Sequence, residues 1–165
     1  MAGLNIAQMK LSPNARKGAE WVKDRHPSIV FTSGRRDPKD QARVMAQNVA
    51  IYGIGWLFAT YKMTPALKTL NAWVEANPTV KEPKLIAEGF YNCLLACHSG
   101  DLYTLSKHLT GDAWDAQWPA DEAEAERICA DIQANMPAEY QMTKLITREG
   151  ALRVIHVQFA PSVEV

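Results

Sequence analysis

The run from Leu152 to Phe159 constrains the fold most. At the strand period of two, Ile155, Val157 and Phe159 share one face, and Leu152, Val154, His156 and Gln158 share the other. A strand leaves its backbone donors and acceptors unpaired unless neighbours meet them, so this run demands a sheet. Residues 142–147 form a second β-type run, and Arg148-Glu149-Gly150-Ala151 between the two reads as a hairpin. Residues 112–117 supply a third strand, and residues 28–32, centred on Ile29, Val30 and Phe31, a short buried fourth.

Most of the remainder reads as helix. Ser12-Pro13 is a cap followed by proline, opening a helix to about Arg25, and Asp37-Pro38 repeats the signal for a helix to about Tyr52. Val44, Met45, Asn48 and Val49 line one face of that second helix, and Gly53 and Gly55 break it. Residues 56–100 are mostly helical: Pro65 starts one helix, Asn77-Pro78 closes it, and Ile86, Phe90, Cys93, Leu94 and Cys97 form the stripe of a core-facing helix. Residues 98–106 are polar and turn-rich and end this half, and residues 121–136 form a helix with acidic first turns. The pattern predicts an α+β fold in a single domain over residues 1–165, with helices packed on one face of a small, mainly antiparallel sheet.

Composition excludes several function classes. The 18 basic and 18 acidic residues balance, which argues against a nucleic-acid partner. No run of about 18 apolar residues exists to insert in a membrane. The first twelve residues carry one lysine and no apolar stretch, so no signal peptide is expected, and the chain reads as made in the cytoplasm. At 47% hydrophobic it needs no disulfide staple, and the odd set Cys93, Cys97 and Cys129 suits a reducing compartment.

The chemistry concentrates in Ser106-Lys107-His108-Leu109-Thr110-Gly111-Asp112-Ala113-Trp114-Asp115. Gly111 permits a tight bend and Ala113 leaves room, so a bend followed by a strand can return Asp115 to the neighbourhood of His108. His156 lies on the non-core face of the last strand. Two histidines and one aspartate make three protein ligands and leave a fourth position on tetrahedral zinc for water.

This decapeptide resembles the signature Ser-x-His-x-x-Gly-x-Ala-x-Asp of the zinc D-Ala-D-Ala carboxypeptidase and L-alanyl-D-glutamate endopeptidase superfamily. All five fixed positions match, which chance would produce in about one chain in ten thousand at ordinary residue usage. Thr32-Ser33-Gly34-Arg35-Arg36 resembles the family's strand-end Thr-Ser-Gly-x-Arg, whose arginine binds substrate. That role falls on Arg36, with Arg35 the neighbouring candidate. Ile155-His156-Val157-Gln158 resembles the closing strand that supplies the third zinc ligand. With Asp37-Pro38-Lys39-Asp40-Gln41-Ala42-Arg43 after the first element, the order is similar to that of compact phage endolysins. The resemblance spans about residues 12–160, loosely over 56–100.

The resemblance implies a hedgehog/D-Ala-D-Ala peptidase-like fold, one catalytic zinc on His108, Asp115 and His156, and a peptidoglycan stem peptide as substrate. It implies a phage endolysin, acting as a monomer, that waits in the host cytoplasm until it is released to the wall. The sequence departs from the family at the base: many members carry an acidic residue three before the last histidine or a histidine two before it, where Arg153 and Val154 stand here. Glu149 is the expected base, with Asp112 the weaker candidate. Two alternatives stay open: a zinc- or wall-binding module that has lost catalysis, and a bacterial D,D-carboxypeptidase.

Other residues read more plainly. Cys93, Cys97 and His98 suggest a second metal site only by spacing, since both cysteines sit on an apolar stripe. His26 is expected to be exposed, Trp114 and Trp118 to pack in the core, and Arg36 has an ion pair with Asp37 or Asp40 as its ordinary alternative.

Overall fold

In the computed structural model, which describes residues 3–149 and 151–162, the helices are α1 (Pro13–Arg25), α2 (Pro38–Tyr52), α3 (Gly55–Thr60), α4 (Pro65–Ala76), α5 (Pro83–Ala96), α6 (Ser99–Leu105) and α7 (Glu122–Asn135). The strands are β1 (Phe31–Ser33), β2 (Ala113–Gln117), β3 (Met142–Glu149) and β4 (Leu152–Phe159). The chain forms two compact units: Met1–Arg35 with Thr110–Val165, and Arg36–Leu109.

The first unit is α+β. Its sheet has the order β1-β2-β4-β3, with every pairing antiparallel. Ile155, Val157 and Phe159 of β4 are fully buried, as the alternation requires. They meet Ala15, Ala19 and Val22 of α1 and Ile128 and Ile132 of α7, which present one face each. Trp114 is fully buried among them, its ring edge-on to Phe31 at 5.2 Å. Trp118 is only partly buried against this core.

The second unit has a core of its own. Ala42, Met45, Ala46 and Val49 of α2 pack with Leu67 and Leu70 of α4, Ile86, Phe90 and Leu94 of α5, and Leu102 and Leu105 of α6. On α2 the alanines Ala42 and Ala46 complete the buried face, while Val44 and Asn48 sit half-buried at its edge. The expected packing of helices on the sheet therefore describes α1 and α7, whereas α2, α4, α5 and α6 bury their apolar stripes against each other.

Three boundaries differ from the sequence reading. Strand β1 begins at Phe31 because Ile29 N–H bonds back to His26 O at 2.9 Å, which turns the preceding residues; only Val30 O joins β2 ahead of it, accepting from Gln117 N–H. Strand β3 continues through Arg148 and Glu149, which pair with Arg153 and Leu152. These two are ladder residues and not part of the turn, and Gly150 lies outside the described residues. Residues 99–105, read as turn, form α6, because Leu102 and Leu105 recur at helical spacing and are buried.

The cysteines are free thiols, half-buried. Cys97 Sγ donates to Cys93 O at 3.3 Å, and burial, with the neighbouring Cys97, pushes the Cys93 thiol up. This is how small packed side chains behave.

Candidate metal centre

The motif around His108 is built by local bonds. His108 N–H donates to Ser106 Oγ at 3.3 Å and Leu109 N–H to Ser106 O at 3.1 Å, winding Lys107–Thr110 into a 3-10 turn. Gly111 then takes φ = +77°, the left-handed region that glycine enters freely. A side chain there would strike the neighbours, since an ideal Cβ would lie 2.8 Å from Arg35 Nη2 and 3.1 Å from Lys10 O. The bend is locked by Asp112, which is 3% exposed and accepts from Ser12 Oγ at 2.6 Å and Thr110 Oγ1 at 2.5 Å. Ser12 precedes α1 without a side-chain capping bond; its backbone N–H donates to Gly111 O at 3.0 Å.

Sheet register brings the next pair together. Asp115 on β2 stands directly opposite His156 on β4, the position where facing side chains interact most closely. His156 Nδ1 lies 2.6 Å from Asp115 Oδ1 and 3.2 Å from Glu149 Oε1. On the far side of the ring, Nε2 lies 2.9 Å from the Gln158 amide nitrogen. His108, Asp115 and His156 each offer one ligand atom, and these atoms lie within 4.8 Å of one another. All three residues are at most 5% exposed.

Buried ionisable groups require partners or a metal. Two imidazoles and a carboxylate are the donor types of a three-ligand site for a first-row ion, and this group can hold a metal ion. Across the ring the Gln158 amide reaches His156 Nε2; its nitrogen donates there while Nε2 is unprotonated, and with a metal on Nδ1 the amide turns its oxygen to accept from Nε2–H, the outer contact of a ligating histidine.

The structure also places the other expected residues. Glu149 stands beside His156, with its side chain 30% exposed. Arg36 N–H donates to His108 O at 3.0 Å, and Arg36 Nη1 donates to Gln41 Oε1 at 3.4 Å. Arg35 serves the bend: its N–H bonds Met9 O, its Nε donates to Lys10 O at 2.9 Å, and its guanidinium covers Gly111. Arg153 lies over the Trp118 ring at 4.0 Å and bonds Glu122 at 2.9 Å, and Val154 is buried. Asp112 is engaged by two hydroxyls in the bend. His26, expected to be exposed, is half-buried with Nε2 2.7 Å from Asp131 Oδ2, because the end of α1 lies against α7 there.

Two contacts were not assigned from sequence. Gln158 shares the His156 face by strand parity, which was the available signal. The bond from Ser12 to Asp112 joins residues 100 positions apart and left no local signal. Compared with known proteins, the chain matches no protein-family model, no curated protein and no solved structure.

Proposed function

We propose that this chain is a zinc-dependent peptidase that cleaves the stem peptides of peptidoglycan. The observation that carries the reading is the buried convergence of His108, Asp115 and His156, with Glu149 3.2 Å from the His156 ring. The segments that meet there are those whose sequences resemble the zinc D-Ala-D-Ala carboxypeptidases and L-alanyl-D-glutamate endopeptidases. Zinc bound to these three ligands supplies a Lewis acid and a water acidified to a pKa of about 7.

The chain's own residues do the rest. Glu149 accepts a proton from the attacking water and delivers it to the leaving amine as the C–N bond breaks. Its partial exposure gives it access to both. Gln158 would hold the His156 ring by turning its amide oxygen to accept from Nε2–H. Arg36 clamps a carboxylate of the stem peptide, for which a planar guanidinium is suited, and contributes positioning. Its backbone bond to His108 O ties that clamp to a ligand-bearing turn. In this reading the protein is a monomeric phage endolysin with the peptidase-like fold its motifs imply, reaching the wall from the host cytoplasm.

The test is digestion of purified Gram-negative peptidoglycan with and without a chelator, the released peptides being read by mass spectrometry. New L-Ala or D-Ala ends that vanish with chelator support the reading and name the bond. Glu149→Gln should keep its zinc and lose about 10²–10⁴ in kcat, the usual contribution of a general base. Zinc retained by the wild type with no peptide released would instead indicate a wall-binding module. Trimming without solubilisation would indicate a carboxypeptidase.

A further inference from the structure

The passage from α2 through α3 to α4 presents large apolar side chains to solvent. Ile51 and Tyr52 in the last turn of α2, Phe58 on α3 and Met63 before α4 are 70%, 48%, 43% and 55% exposed. The opposite side of the same segment is anchored. Trp56 and Leu57 are buried, and Trp56 packs edge-on against Tyr61 at 5.6 Å. Gly53 N–H bonds Val49 O and Tyr61 N–H bonds Leu57 O. Helix α3 thus turns Trp56 and Leu57 inward and Phe58 outward.

At about 200 Å² for a fully exposed large side chain, the four present about 400 Å². Within thirteen residues of chain around the anchored α3, that is apolar area of the size that often marks an interaction site on soluble proteins. It is about half of what each partner buries in a stable protein–protein interface, which disfavours a second copy as the occupant.

Charge selects the occupant. From Pro38 to Ala76 the chain carries Lys39, Arg43, Lys62 and Lys68 against Asp40 and Glu75, with Arg43 paired to Asp40 at 2.7 Å, although the whole chain balances 18 against 18. Lys62 and Lys68 are exposed within the apolar segment. Apolar side chains enter the boundary between headgroups and acyl chains, tyrosine favours that depth, and nearby lysines are drawn to anionic headgroups. We propose that the α2–α3–α4 face docks on an anionic phospholipid surface. It lies on the bilayer, and no helix among the described residues is long and apolar enough to cross one. The inference does not depend on the metal centre or on peptidase activity.

The experiment is flotation of the full chain with vesicles of phosphatidylcholine alone and of phosphatidylcholine mixed with phosphatidylglycerol. The chain should partition onto the mixed vesicles and be released by salt. Ile51→Ser and Phe58→Ser should each weaken partition about tenfold, and Lys62→Gln about fivefold. Leu95→Ser, at a position 60% exposed on α5, should leave it unchanged. Far-UV circular dichroism of each variant separates loss of binding from loss of fold. Absence of binding to the mixed vesicles, equal binding to neutral ones, or equal loss in Leu95→Ser would overturn the proposal. So would a dimer, seen by light scattering, that Phe58→Ser dissolves.

Discussion

Replacing Gly111 by alanine tests the bend separately from the groups it brings together. At φ = +77° an L-residue is disfavoured by about 1 kcal/mol or somewhat more. The added Cβ would lie 2.8 Å and 2.9 Å from Arg35 Nη2 and Nε. Arg35 is exposed and can yield, but only by giving up its bond to Lys10 O, worth about 1 kcal/mol. Gly111→Ala should therefore cost about 2 kcal/mol and still fold. Urea unfolding of the metal-free protein measures this in wild type, both single variants and the double variant. Arg35→Ala alone should cost about 1 kcal/mol, and the double variant should fall about 1 kcal/mol short of the additive sum, because the clash is then gone. A zinc-competition titration of Gly111→Ala should show affinity reduced about tenfold, since the bend sets where Asp115 lies relative to His108. A cost below about 0.5 kcal/mol with wild-type zinc affinity would refute the argument, since that is the range of an indifferent surface change. Full additivity would remove the contact and leave only backbone strain.

Gly89→Ala on α5 should destabilise by about 2 kcal/mol in chemical denaturation, despite alanine's better helix propensity, because its Cβ would lie 2.1 Å from the Trp73 ring. Ser12→Ala removes the 2.6 Å bond to the buried Asp112 carboxylate and should cost about 1–3 kcal/mol, with Ser12→Thr recovering part of it. The Arg25 guanidinium, aided by Asn135 and His26, holds the Asp131 carboxyl well below the usual carboxylate range. Its folded pKa is thus lower than its unfolded one, so this stabilisation is complete above the ordinary carboxylate pKa and is lost as pH falls below it. Asp131→Asn should lose up to about 1 kcal/mol at neutral pH, and denaturation midpoints measured against pH should show the variant and wild type converging in strong acid.

Much of the secondary structure was legible in the chain because its signals are local. Ser12-Pro13, Asp37-Pro38 and Pro65 mark helix starts within a turn of where they occur, and the alternation of Ile155, Val157 and Phe159 needs only neighbouring residues to be read. Helix α6 is not legible in the sequence because two buried leucines in seven residues are a weak periodic signal, and β1 begins three residues into the apolar run because a turn bond to His26 overrides it.

The three candidate ligands were nameable from sequence because each sits in a short pattern: the bend at Gly111, and histidine on the non-core face of a strand. Their convergence is a tertiary matter. Asp115 meets His156 because β2 and β4 pair in the register that opposes them, and a slip of one residue would turn either side chain to the other face. Glu149 reaches His156 because β3 extends to the end of its ladder, Gln158 steadies the ring, and Ser12 locks Asp112 from the far end of the chain. The two separate cores were likewise beyond a local reading. Periodicity shows that a helix face must be buried, but not what buries it, because the partner is chosen by contacts between residues far apart in sequence.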